Sequence, residues 1–159
     1  YKELSMRKLV SLSILWLFLM SCASPKPNET TQAFAEEPTR YIDLTADSKK
    51  DLTERYWVVI KSKDPKYPVD AARRGLSGCV DFIVAIDSNG TLSGFKIKKS
   101  YPEGVFDKSA TAALNMWKWS ASEENIENAP VLTTIQLNFM VSNSKNKTET
   151  EKQCDFSHI

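Results

Sequence analysis

One run constrains the fold more than any other: "CVDFIVAIDSNGTLSGFKIKKS", residues 79–100. It holds two apolar-patterned segments either side of "DSNG", residues 87–90, where Asn and Gly tolerate the positive φ of a tight turn. The first segment, 79–87, carries apolar residues on both faces, as a strand covered on both sides does. In the second, 91–100, Lys96 and Lys98 share one face while Phe95 and Ile97 share the other. The spacing predicts a β-hairpin.

The flanking segments supply what packs on it. "YPVDAARRG" opens on Pro68, a good first helical residue, and stops at Gly75, a good C-cap. In "FDKSATAALNMWKW", Phe106, Ala110, Ala113, Leu114 and Trp117 fall on one helical face, and Asp107 near its start suits the helix dipole. "TTIQLNFMV", residues 133–141, alternates as a half-buried strand: Thr133, Ile135, Leu137, Phe139 and Val141 face one way, Thr134, Gln136 and Asn138 the other. The order helix, strand, strand, helix, strand predicts an α+β fold. A small antiparallel sheet of about three to four strands packs against one or two helices. Residues 41–63 are ambiguous: "SKKDLTERY" reads as a short helix and "YWVVIKS" as a strand. From Ser142 the chain is polar and weakly patterned, so 143–159 reads as a tail.

The N-terminal part is of another kind. Arg7 and Lys8 precede an apolar core, Leu9 to Met20, that is shorter than the about 20 residues a spanning helix needs. A positive start, a short apolar core and small residues at its end make residues 1–21 an export signal. Residues 1–5, "YKELS", read as an upstream extension or a misassigned start. "LMSC", residues 19–22, resembles a bacterial lipobox, which implies lipid on Cys22. Ala23 in place of Asp implies transfer to the outer membrane. The alternative is ordinary cleavage near Ser21, leaving Cys22 free. Residues 22–40, with three prolines and mostly polar side chains, read as a flexible tether behind that terminus.

Composition excludes several functions. Lys and Arg total 21 against 20 for Asp and Glu, a balance without the charge of a nucleic-acid-binding surface. Three cysteines and one histidine suggest no metal cluster. The single histidine, His158, lies beside the C-terminus, the carboxylates form no recognisable pair, and GxGxxG is absent. The sequence therefore reads as non-enzymatic, without cofactor or metal. Asn89-Gly90-Thr91 formally reads as a glycosylation acceptor, a coincidence in a bacterial lipoprotein.

The segment 66–141 resembles the C-terminal domain of TonB-family proteins. Its landmarks are Tyr67-Pro68, Ala71, Gly75, Gly78, Gly90, Ser100, Phe106-Asp107, Ala110, Ala113 and Trp117. The resemblance implies a two-layer sandwich over residues 64–142, in which Trp117 supplies a large buried surface. It implies a periplasmic module that clasps a segment of an outer-membrane transporter by adding a strand to a sheet edge. In this chain the candidate edge is Thr133, Thr134, Ile135, Gln136, Leu137, Asn138 and Phe139; the alternative is that this strand only closes the core.

The chain also departs from the family's energy transducers. It shows a lipobox in place of a retained inner-membrane helix, a short tether in place of a proline-rich rod, and "WKWSASEEN" where a proline usually follows the helix tryptophan. These departures imply a fixed module on the periplasmic face of the outer membrane, binding an envelope protein. The alternatives are a working component of energised transport and a self-associating envelope lipoprotein, dimerising through the same edge. With Cys22 lipidated, Cys79 and Cys154 remain as a pair in an oxidising compartment, and a bridge between them would pin the tail; the alternative is two free thiols.

Overall fold

A computed structural model describes residues 39–156, except the side chain of Lys50. The expected export signal, Cys22, most of the expected tether and His158 lie outside the described residues. The hairpin forms as the sequence implies. Strand β3 (Gly78–Ile86) runs antiparallel to β4 (Leu92–Tyr101), with register shifts beside Asp81/Phe82 and Ala85/Ile86. At the turn, Asp87 Oδ1 accepts the N–H groups of Asn89 and Thr91, both at 2.9 Å, and Oδ2 accepts the Thr91 hydroxyl at 2.6 Å. Gly90 takes φ +69°, and a Cβ there would lie 2.1 Å from the Trp119 carbonyl oxygen. Glycine is required on both counts.

Strand β6 (Val131–Phe139) pairs antiparallel with the other side of β3, from Gly78↔Phe139 to Ile86↔Val131. One face of this pair is the core: Val80, Phe82, Val84 and Ile86 beside Val131, Thr133, Leu137 and Phe139. Onto it pack Ala71 of α2 (Val69–Arg74) and Ala110, Ala113 and Leu114 of α3 (Asp107–Leu114), with Phe106 at the start of α3. Pro68 stands one place earlier than expected: it caps α2 in an extended conformation, and its carbonyl accepts the Ala72 N–H. Gly75 closes the helix with φ +63°.

The second helix is shorter than its apolar spacing predicts. It ends at Leu114, and Lys118–Ala121 form strand β5. Trp117 is only half-buried, so the large buried surface expected of it belongs to Trp119, 4% exposed. The cause is local: "KWSA" alternates with period two, and the Trp119 N–H donates to the Gly90 carbonyl at 3.0 Å. A helix continued through Trp117 would forfeit that bond and β5's pairing with the strand Trp57–Lys61.

Residues 41–63 are structured. They form β1 (Ile42–Asp43), a 3-10 helix (Asp47–Leu52), α1 (Thr53–Tyr56) and β2 (Trp57–Lys61). Strand β1 pairs parallel with Val131 and Leu132, giving a four-stranded sheet of order β1-β6-β3-β4; β2 and β5 make a separate two-stranded ribbon. The polar tail contains α4 (Lys147–Gln153). It is held without an apolar stripe. Asn146 exchanges two 2.9 Å hydrogen bonds with the Ser77 backbone, and the buried Thr150 hydroxyl donates to the Ser77 carbonyl at 3.2 Å. Cys154 is disulfide-bonded to Cys79 with Cα atoms 5.8 Å apart.

Candidate functional site: the outer edge of β6

Among the described residues β1, β2, β4 and β5 each have an unpaired edge, and β6 is unpaired on its outer side beyond Leu132. The outer edge of β4 carries Lys96, Lys98 and Lys99, a common safeguard against further strand pairing. The edge of β6 has no such protection: from Val131 to Phe139 it bears no charged side chain. The remaining edges are those of the two-residue β1 and of β2 and β5 in the separate ribbon.

Pairing with β1 fixes which backbone groups of β6 point outward. The carbonyls of Pro130 and Leu132 accept the N–H groups of Ile42 and Leu44, at 2.9 and 2.8 Å. Backbone direction alternates along a strand. Thr134, Gln136 and Asn138 therefore aim their N–H and C=O groups away from β3. On this outer side no strand pairs with β6 beyond Leu132 among the described residues.

The expected edge residues divide by face. Thr133, Leu137 and Phe139 are buried in the core and Ile135 is partly buried against it. Thr134, Gln136 and Asn138 lie half-buried on the opposite face. Two neighbours narrow the edge. Thr53 of α1 is hydrogen-bonded to the Thr133 hydroxyl at 2.6 Å. The Gln136 side-chain amide donates to the Asp155 carbonyl and to Asn138 Oδ1 (2.7 Å), and its oxygen accepts the Asp155 N–H at 3.2 Å. Beside the edge, a cleft on the polar face is lined by Asp51, Glu54 and Lys98. A second cleft is lined by Val59, Trp117 and Ile135. These neighbours are hardly legible in the sequence, since residues 41–63 read ambiguously and the tail is unpatterned; the short alternation "YIDL", residues 41–44, is the one local signal of β1.

The structure gathers most of the other motif residues around the far end of β6. The Phe106 and Phe139 rings stack at 4.3 Å, and Tyr67 meets both edge-on, at 5.7 and 5.9 Å. The Tyr67 hydroxyl donates to the Leu76 carbonyl, and burial pushes its phenol pKa up. A Cβ on Gly78 would lie 1.9 Å from the Tyr101 carbonyl and 2.6 Å from the Phe106 ring. The Ser100 hydroxyl donates to the Asp107 carboxylate, tying α3 to β4. Gly90 and Trp117 lie elsewhere, with Gly90 against Trp119 and Trp117 beside the edge cleft. The motif is thus largely a clamp on the strand that carries the edge.

The same residues agree with comparison to known proteins. Residues 63–141 match the family model described as the Gram-negative bacterial TonB protein C-terminal. Residues 63–141 form a TonB C-terminal domain. Protein TonB of Xanthomonas campestris pv. campestris, in strain B100 and in strain ATCC 33913, is 35% identical over 88 residues, covering 54% of this chain. The chain spans 40% of the length of those relatives. A solution NMR structure of the Pseudomonas aeruginosa TonB C-terminal domain is similar at 20% identity and a TM-score of 0.48, covering 65% of this chain and 97% of that one. The TonB C-terminal domain match leaves β1, α1, β2, α4 and Cys154 outside its limits. Among the described residues no helix is long and apolar enough to cross a membrane.

Proposed function

We propose that this chain is a TonB-type protein-binding module of the cell envelope, whose β6 edge takes up an extended segment of a partner by strand addition. The partner is an envelope protein, an outer-membrane transporter being the class the TonB relationship favours. One observation carries the reading: β6 offers outward backbone groups at Thr134, Gln136 and Asn138 on a strand without charge, while the opposite sheet edge is guarded by lysines. The module acts without catalysis or cofactor. The apolar core and "LMSC" support its placement on the periplasmic face of the outer membrane through lipid on Cys22.

A photo-crosslinking residue at position 138 of the full chain, in cells, tests the binding mode. The expected result is an adduct with an envelope protein that disappears when Gln136→Pro removes an outward donor. An adduct unaffected by that change would refute strand addition here. Palmitate labelling tests the anchor: label lost in Cys22→Ser supports it, and an unlabelled, uncleaved chain favours the energy-transducing alternative.

A further inference from the structure

The separate ribbon carries an edge of its own. Strand β2 pairs only with β5, and three successive β-branched residues stand exposed on it: Val58 at 46%, Val59 at 46% and Ile60 at 66%. Both faces of the strand are therefore apolar at its centre. It is held firmly, since Trp57 is buried and its indole N–H donates to the Ala129 carbonyl at 2.9 Å. An exposed, apolar, proline-free edge of this kind is a template for another strand.

Charge along the ribbon identifies the occupant. The cleft around Val58 and Ile60 is lined by Asp51, Glu54, Glu123 and Glu124, and its one cation, Arg55, already pairs with Glu124 at 2.7 Å. The other end is basic: Lys61 stands directly opposite Lys118 across the ribbon, and Lys63 follows. Like charges at opposed positions destabilise a strand pair, so that end calls for acidic neighbours. A parallel neighbour of the same kind would set acid against acid and lysine against lysine. An antiparallel second copy, related by a twofold axis, sets each acidic end beside the other copy's lysines and packs valine and isoleucine at the centre.

We infer that β2 is a self-association edge, pairing antiparallel with β2 of a second copy of this chain to make a four-stranded ribbon. The contact uses the backbone of β2 and not that of β6, and Val59 lies on a cleft it shares with Ile135 of β6. A strip of two strands is small for a stable interface, so the dimer is of the weak, salt-sensitive class.

Oxidative crosslinking of the full chain in membranes tests this. Val59→Cys is expected to give a non-reducing band at twice the mass of the reduced chain. The band should exceed that of the unsubstituted chain, which reports any contribution of Cys22, and that of Ile126→Cys, a control at an 86% exposed position. On the Val59→Cys background, Lys61→Glu with Lys118→Glu should abolish the band. Glu54→Lys with Glu123→Lys should abolish it as well. Mixing those two charge-reversed chains should restore it, which a folding failure cannot do. A Val59→Cys band no stronger than the Ile126→Cys control, or charge-reversed chains that crosslink alone as well as unaltered ones, would overturn the proposal.

Discussion

Two glycines and an aspartate show how far single residues fix this domain. Gly78 has no room for a side chain, because a Cβ would stand 1.9 Å from a carbonyl oxygen and 2.6 Å from the Phe106 ring. Gly78→Ala is expected to cost about 3 kcal/mol by chemical denaturation, at the upper end of overpacking effects. Gly94, on the same hairpin with nothing within 4 Å of its Cβ position, is the control and should tolerate alanine. Asp87 works through charge. Burial pushes its carboxyl pKa up, but hydrogen bonds from Thr91 and Asn89 outweigh burial and hold it below its ordinary 3.8. A carboxyl depressed in the folded state stabilises above its unfolded pKa and loses that contribution as pH falls through the folded value. Asp87→Asn should therefore lower stability at pH 7 by about 1 kcal/mol. It should also flatten the acid limb of stability against pH below about 4, read by thermal melts. The turn was legible in "DSNG" because its chemistry is local. Gly78 was legible only as a landmark, because what crowds it comes from distant residues.

At the scale of elements, legibility followed the source of each element's stability. The hairpin, α2 and the alternation of β6 carry their own periodicity and stops, and each stands close to where the sequence put it. The boundary between α3 and β5 does not. Phe106, Ala110, Ala113 and Leu114 make a true helical stripe, and Trp117 continues its spacing by chance; what ends the helix is Trp119's hydrogen bond to Gly90, a contact between segments far apart in sequence. Helix α4 had no signal at all. Its sequence "KTETEKQ" is polar throughout, and its docking rests on hydrogen bonds at Asn146, Thr150, Gln153 and Asp155 and on one covalent bond. The bridge spans a sequence separation of 75, a loop for which chain entropy gives about 4 kcal/mol. Cys154→Ser should lose stability of that order in denaturant titrations. It should also release α4 to fast hydrogen exchange, because the remaining anchors are a few polar contacts, with Ser77 at its start and with Lys99 and Gln136 at its end. Slow exchange in α4 of that variant would show that the polar contacts suffice.

Across the whole molecule, the landmarks of residues 63–141 build a clamp, and segments outside that range trim the edge the clamp presents. Strand β1 covers β6 at Val131 and Leu132, α1 reaches Thr133, and the tail meets Gln136. The sequence made the edge strand visible but not its phase or its neighbours, since alternation tells which side chains face the core and nothing about which backbone groups face a partner. The phase comes from Leu44 donating to the Leu132 carbonyl, and a pair of prolines tests it. At position 136 the N–H points away from β3, so Gln136→Pro removes no ladder bond; the domain should stay folded and lose its partner. At position 135 the N–H points toward β3, opposite Phe82, so Ile135→Pro breaks the central ladder and should lower the melting temperature sharply. Circular dichroism melts of the two variants, beside the position-138 adduct, separate folding from binding. If Gln136→Pro unfolds the chain and Ile135→Pro spares it, the phase is reversed and the outward groups belong to Thr133, Ile135 and Leu137. The partner would then have to reach an edge whose side chains are already committed to the core.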